Sequence, residues 1–257
     1  LCHQSADIYL MNLVGIDFSI NSPAFSCYKD GKYHWGSLTR SDRSSSSLMK
    51  NTKKPFFILD SEPDFSLIFL EKADLPSEYS QKERIKISYF MEIVDSLWSG
   101  IMEIMGDSEF YVAMEGLSFS SNGNALIDIS MATALLRKKI IDTVGVDKFY
   151  VFSPTSIKKF AVKGNAKKDE LYDALVNFRE EIETNLTIFA NILETNKEEW
   201  VTPSKAVNKP IDDIVDATWI TLYLIDTLKE NNGTNGTTKG IKGNLKKPSR
   251  GSLKNSK

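Results

Sequence analysis

Cysteine and histidine are almost missing from this 257-residue chain, which has two of each: Cys2, Cys27, His3 and His34. Two cysteines cannot build a disulfide framework, and so few Cys and His exclude a zinc site of the usual spacing. Any bound metal has to be held by carboxylates. Long apolar runs are lacking too. No stretch reaches the roughly 18 uncharged apolar residues of a membrane span, and the first residues show no basic segment followed by an apolar core. No membrane partner and no secretory leader are expected, and the expectation is an intracellular protein. What the chain does have is a globular composition, 41% apolar and 26% charged, which excludes disorder throughout.

Net charge of one sign is also scarce, at −2 overall, but the sum hides two unlike parts. Residues 231–257 contain seven basic side chains (Lys239, Lys242, Lys246, Lys247, Arg250, Lys254, Lys257) and no acid. That leaves 25 basic against 34 acidic residues in 1–230, or about −9 beside a tail of +7. An acidic body with a basic tail calls for a polyanionic partner without naming one.

Residues 1–10 are expected to precede the natural start at Met11, and 231–257 to form a flexible basic tail rich in Asn, Gly, Thr and Lys. Between them, 11–230 reads as one domain. LVGIDFS, PAFSCYK and KYHWGSL are strand-like, the last two joined by Asp30-Gly31, a tight-hairpin signal. A serine-rich loop at 40–54 carries five Lys/Arg against one Asp, and the β-rich runs PFFILD and DFSLIFLEK follow. Apolar residues at helical spacing predict a long helix over 82–105. Trp98, Met102, Ile104 and Met105 lie beyond its main stripe, suiting a dimer face or packing against inserted segments. Then come a strand (FYVAMEGLSF), a helix opened by Ser/Asn caps, a strand stopped by Pro154, a lysine-rich segment at 156–168, helices from about Asp169 and over 180–200, and a last helix from Ile211 to Leu228. The order predicts an α/β domain with a mixed sheet, antiparallel first and parallel where helices cross over.

Asp17 ends the apolar run VGID, and Glu115 follows Val112, Ala113 and Met114. A carboxylate in an apolar strand is costly to bury unless paired or bound to a cation. An Asp at a strand end also serves simply to cap a turn. The last helix, apolar on nearly every face, opens with Asp212, Asp213 and Asp216, of which Asp213 and Asp216 share a face. Acids in a first helical turn are favourable on their own account. Taken together, repelling carboxylates in an apolar setting point to a divalent cation with hard oxygen ligands, Mg²⁺ or Mn²⁺. Two such ions about 4 Å apart could activate water and stabilise the leaving oxygen of a phosphodiester. In the segment KKFAVKGNAKK, Gly164-Asn165 permits close backbone approach to a phosphate, and Lys158, Lys159, Lys163, Lys167 and Lys168 supply charge. A solvated basic face is the plainer reading of the same lysines.

GIDFS (15–19), MEG (114–116), SPTSIKKFAVKGNAKKDEL (153–171) and DDIVDA (212–217), in that order, resemble the RuvC-type Holliday junction resolvases and their phage and viral relatives, within the ribonuclease H-like superfamily. The resemblance spans about residues 13–228. It implies a five-stranded mixed sheet flanked by helices, with insertions at about 40–75 and 180–210. Asp17 matches the family's first-strand aspartate, Glu115 its central-strand glutamate, and Asp213 with Asp216 its two aspartates on the final helix; Asp212 lies one residue off that register. Lys168 matches the lysine that assists at the scissile phosphate, and Lys158 an upstream lysine. Val162-Lys163-Gly164 lacks the first of the family's two glycines, which shortens that loop. The resemblance further implies two Mg²⁺ or Mn²⁺ ions per site, a homodimer meeting the two opposed strands of a four-way junction, and a cytoplasmic, nucleoid-associated place in a bacterial or phage-infected cell. Two readings stand beside it: a non-catalytic nucleic-acid-binding or assembly module, and a nuclease of the same fold acting on an RNA–DNA hybrid. The first gains if the carboxylates do not converge on a common point. An actin-like ATP-binding protein, whose first phosphate loop GIDFS also resembles, needs a duplicated half for which this chain has little room.

Overall fold

The computed structural model describes residues 11–40, 58–71, 73–117, 123–178 and 184–232. The expected N-terminal extension, nearly all of the serine-rich loop and the basic tail beyond residue 232 lie outside the described residues.

β1 (Asn12–Asp17), β2 (Ala24–Lys29) and β3 (Lys32–Arg40) form an antiparallel meander. Asp30 and Gly31 turn β2 into β3 with φ of 51° and 81°, the two positive values that a two-residue hairpin of matching twist requires. β5 (Phe110–Glu115) lies parallel to β1, and β6 (Phe149–Phe152) parallel to β5. This is the mixed sheet that the sequence predicts, antiparallel at its start and parallel where helices cross over between strands. Among the described residues it has six strands instead of five. DFSLIFLEK supplies β4 (Phe65–Leu70), parallel to β3, giving the order β4-β3-β2-β1-β5-β6. PFFILD adds no strand among the described residues: its last three, Ile58 to Asp60, make a helical turn.

The two-residue period of a strand sends alternate side chains to opposite faces. Val14, Ile16, Val112 and Met114 pack on one face against α1 (Tyr79–Met105) and α2 (Asn124–Val144). Glu78 caps α1, its carboxylate accepting from Ser80 N at 2.8 Å and Gln81 N at 2.6 Å, while the Lys29 ammonium donates to Ile104 O at 2.8 Å near the other end. Trp98 and Met105 are buried in this core with Met102 and Ile104 packed against it. Ile68 of β4, from the stretch expected as an insertion, packs against the same cluster.

The other face carries Leu13, Gly15 and Asp17 of β1, in alternation with Val14 and Ile16, and α7 (Ile211–Asn232) lies across it. Gly15 sets the distance. A Cβ placed there would stand 2.6 Å from Ala217 O and from Thr221 N, so only glycine admits the α7 backbone this close. Thr221 Oγ1 donates toward Ser26 O at 3.0 Å, and Trp35 Nε1 donates to Thr218 Oγ1 at 3.0 Å, which fixes the helix in rotation.

α3 (Pro154–Ala161) follows β6 at once, with Ser153 as its N-cap and Pro154 as its first residue. The proline that ends the strand thus starts a helix. α4 (Lys168–Val176) begins where the lysine-rich segment ends. α5 (Leu186–Thr195) and α6 (Lys197–Trp200) come from the stretch expected as an insertion. They cover the β3 and β4 edge: the Phe189 ring lies 4.7 Å from Trp35 and 5.4 Å from Phe65.

Candidate active site

Asp17 and Glu115 are the last residues of two neighbouring parallel strands, both on the face that α7 covers. In open α/β sheets the crevice beyond the carboxyl ends of the strands is where ligands bind. Small side chains one step back, Gly15 paired with Ala113, leave room for the first turns of α7. That helix delivers Asp213 and Asp216 beside Asp17, and α4 delivers Lys168 from the side. The ammonium of Lys168 contacts Asp216 closely and Asp212 at 3.0 Å. All five residues assigned from sequence to the catalytic set therefore meet in one place, drawn from β1, β5, α4 and α7.

Asp17 keeps an opening to solvent but is ringed by protein. Burial, then the charges of Asp216 and Asp213, raise its carboxyl well above the usual range, against a pull downward from Lys168. Burial raises Glu115 as well, with Asp216 adding to it and Lys168 and Lys158 opposing. Asp216 is pushed up to about 6, by burial first and by Asp212 and Asp213 in addition, in spite of Lys168. Asp213 is buried and raised for the same first reason, although Lys209 and the Ser22 hydroxyl pull it back. Burial alone would lower Lys168, but Asp216, Asp212 and Asp17 outweigh it and hold the ammonium above its ordinary value. Among the described residues, no ion pair reaches Asp17 or Glu115.

The donor chemistry suits a hard divalent cation: carboxylate oxygens only, in a setting that makes their mutual repulsion expensive. Fully ionised, Asp17, Glu115, Asp212, Asp213 and Asp216 against Lys168 and Lys209 leave an excess of three negative charges. Their placement is another matter. Among the described residues, no three His, Cys, Asp or Glu side chains are arranged to hold an ion as they stand. The reason is visible in the partners: Lys168 draws Asp212 and Asp216 to itself, and Lys209 draws Asp213.

The phosphate-binding set is more scattered. Lys158, in the last turn of α3, lies near enough to act on Glu115. Lys159 and Asn165 are exposed, Lys163 pairs with Glu170, and Lys167 precedes α4 with its backbone N–H donating to Glu170 Oε2 at 2.8 Å. None of these four makes an ion pair with the cluster among the described residues. Gly164 packs on Thr155, where a Cβ would come within 2.9 Å of the Thr155 methyl; the turn between α3 and α4 needs this one glycine for its packing.

Two participants were not read from the sequence. Ser22 donates its hydroxyl to Asp213 Oδ2 at 2.6 Å, across 191 positions, with no local signal. Lys209 contacts Asp213 Oδ1 and stands 4.0 Å from Asp212. Its spacing, four residues before Asp213, was a readable sign of pairing, obscured by the proline that follows it.

No protein-family model matches the chain, and no curated protein matches it in sequence. Solved structures similar to it include RuvC of Thermus thermophilus, 17% identical, with 87% of this chain and 98% of that chain covered and a TM-score of 0.41. RuvC of the same organism in complex with a Holliday junction substrate is 15% identical, with 87% and 97% covered and a TM-score of 0.43. The yeast mitochondrial Holliday junction resolvase is 12% identical, with 87% and 84% covered and a TM-score of 0.44.

Proposed function

We propose that this chain is a divalent-cation-dependent endonuclease of branched DNA, cutting phosphodiesters at a four-way junction as a homodimer. The observation that carries the reading is the gathering of Asp17, Glu115, Asp213 and Asp216 with Lys168 at the carboxyl ends of β1 and β5. Mg²⁺ or Mn²⁺ held by these carboxylates, two ions in the full site, would supply the positive charge and the activated water that phosphodiester hydrolysis needs. The protein's own part is to hold the acids rigidly on strand ends and one helix face, so that little reorganisation is needed when phosphate arrives. Lys168, once released from Asp216, can offer its ammonium to a phosphate oxygen. Lys158, Lys159, Lys163, Asn165 and Lys167 lie on α3 or between α3 and α4 and would contact the backbone of the DNA, positioning it without reading sequence.

The test is cleavage of labelled four-way, three-way, flap, RNA–DNA hybrid and linear substrates in Mg²⁺ or Mn²⁺, beside Asp17→Asn. Cutting of the four-way junction above the others, lost in Asp17→Asn, is the expected result. Cleavage retained in that variant defeats the assignment. A second reading, a binding module that keeps the fold, is favoured by the absence among the described residues of a ready three-ligand group; it predicts junction binding with no cleavage of any substrate.

A further inference from the structure

We infer that Lys209 is a built-in counter-ion that closes the carboxylate cluster and that a divalent cation has to displace from Asp213. The inference rests on the function proposed above and concerns how the site is kept closed before metal enters.

Lys209 is held where it can do this. Residues 200–208 form a pinned turn: Val201 bridges Val207, Thr202 N donates to Ala206 O at 2.8 Å, and Asn208 N donates to Trp200 O at 2.8 Å. Trp200, at the root of the turn, is fully buried. The chain leaves this turn at Lys209 and enters α7 two residues later, so the ammonium is presented to the first turn of the helix from a fixed base.

The asymmetry of the pair decides which partner yields. The Asp213 side chain is 3% exposed and that of Lys209 52%. An incoming cation can send the ammonium into water at small cost, whereas the carboxylate cannot leave. Ser22, buried beside it, donates to the other oxygen and keeps the carboxylate aimed while Oδ1 changes partner. Lys168 is the less easily displaced of the two ammonium groups because its second carboxylate, Asp212, lies at 3.0 Å, whereas Asp212 stands 4.0 Å from Lys209.

The experiment is Mn²⁺ binding to the full chain without DNA, followed by calorimetry and by the Mn²⁺ resonance spectrum. Lys209→Met is expected to bind Mn²⁺ about tenfold more tightly than the unaltered chain, a difference of about 1.4 kcal/mol. Lys209→Arg, which restores the charge, is expected to return the affinity to within about threefold. Lys197→Met removes a cation that pairs with Asp173, outside the cluster, and is expected to change nothing. Asp17→Asn should abolish the Mn²⁺ signal in every background, which places the ion in this cluster. Equal or weaker Mn²⁺ binding by Lys209→Met overturns the inference and leaves the proposed function standing. Equal tightening by Lys197→Met also overturns it, as an effect of net charge alone. Failure of the unaltered chain to bind Mn²⁺ overturns both. Thermal unfolding of each variant shows that it is folded.

Discussion

Asp17 shows at the scale of one residue what the cluster costs the fold. Its carboxylate is ringed by protein, faces Asp216 and Asp213 and has no ion pair among the described residues, so the charged form is disfavoured, by burial first and by those charges in addition. Replacing it with Asn removes the repulsion while keeping the shape. Asp17→Asn should therefore melt several degrees higher than the unaltered chain in chelator at pH 7, as a site strained for activity does, while cleavage falls at least about 100-fold. Differential scanning and a single-turnover assay check the two halves separately. Asp216 adds a pH signature. Its value rises on folding from an ordinary 3.8 to about 6, so the folded chain binds more protons than the unfolded one. Stability from this group is then fully present below about pH 4 and lost as pH climbs through about 6. Asp216→Asn should match the unaltered chain near pH 4 and exceed it near pH 7 in chelator, and added Mn²⁺ should narrow the gap. A melting curve without that crossover would contradict the assigned cause.

At the scale of elements, the contact of β1 with α7 builds the site. Gly15→Ala would put a methyl group into the Ala217 carbonyl and the Thr221 amide. The helix would have to lift, at a cost of about 1 to 3 kcal/mol, taking Asp213 and Asp216 away from Asp17. Denaturant unfolding should show the destabilisation, and cleavage should fall more than stability alone explains at a temperature where the variant remains folded. This contact also separates what could be read in the sequence from what could not. The carboxylates stood out because each interrupts an apolar period, and α1 and the β2–β3 turn because their spacing and turn residues are local signals. β4 was read as β-rich without a partner: whether an apolar run joins a sheet is settled by which edge is open, here β3, and no residue in Phe65–Leu70 encodes that. Trp98 and Met105 were left between two readings because periodicity tells which residues share a face and leaves open what covers it. Ser22 was unreadable, since one serine gains its meaning only from the aspartate that folding brings to it.

For the whole molecule, the two stretches expected as insertions meet across the sheet edge. β4 widens the sheet beyond β3, and α5 closes over it through Phe189, Trp35 and Phe65. Phe189 is fully buried, and Phe189→Ala should cost about 3 to 5 kcal/mol. Because the same segment runs on through Trp200 to Lys209, the variant should also loosen the hold of Lys209 on Asp213 and raise Mn²⁺ affinity at temperatures where the chain stays folded. The long-range charge pattern makes a separate prediction. Removing residues 233–257 takes away all seven basic side chains of the tail, and should weaken junction binding and flatten its dependence on salt. An unchanged slope of log affinity against log salt would deny the tail a role in holding DNA.

The position of α7 as the last described element has a consequence in time. Half of the four matched carboxylates lie on it, and β1, to which they must be brought, is the first of the described strands. A nascent chain stopped between residues 153 and 212 has all the described strands and both covering helices on the far face but only Asp17 and Glu115 of the four. An unfinished copy therefore carries half of the cluster, which is completed only after synthesis has passed the start of α7 and that helix has closed on β1.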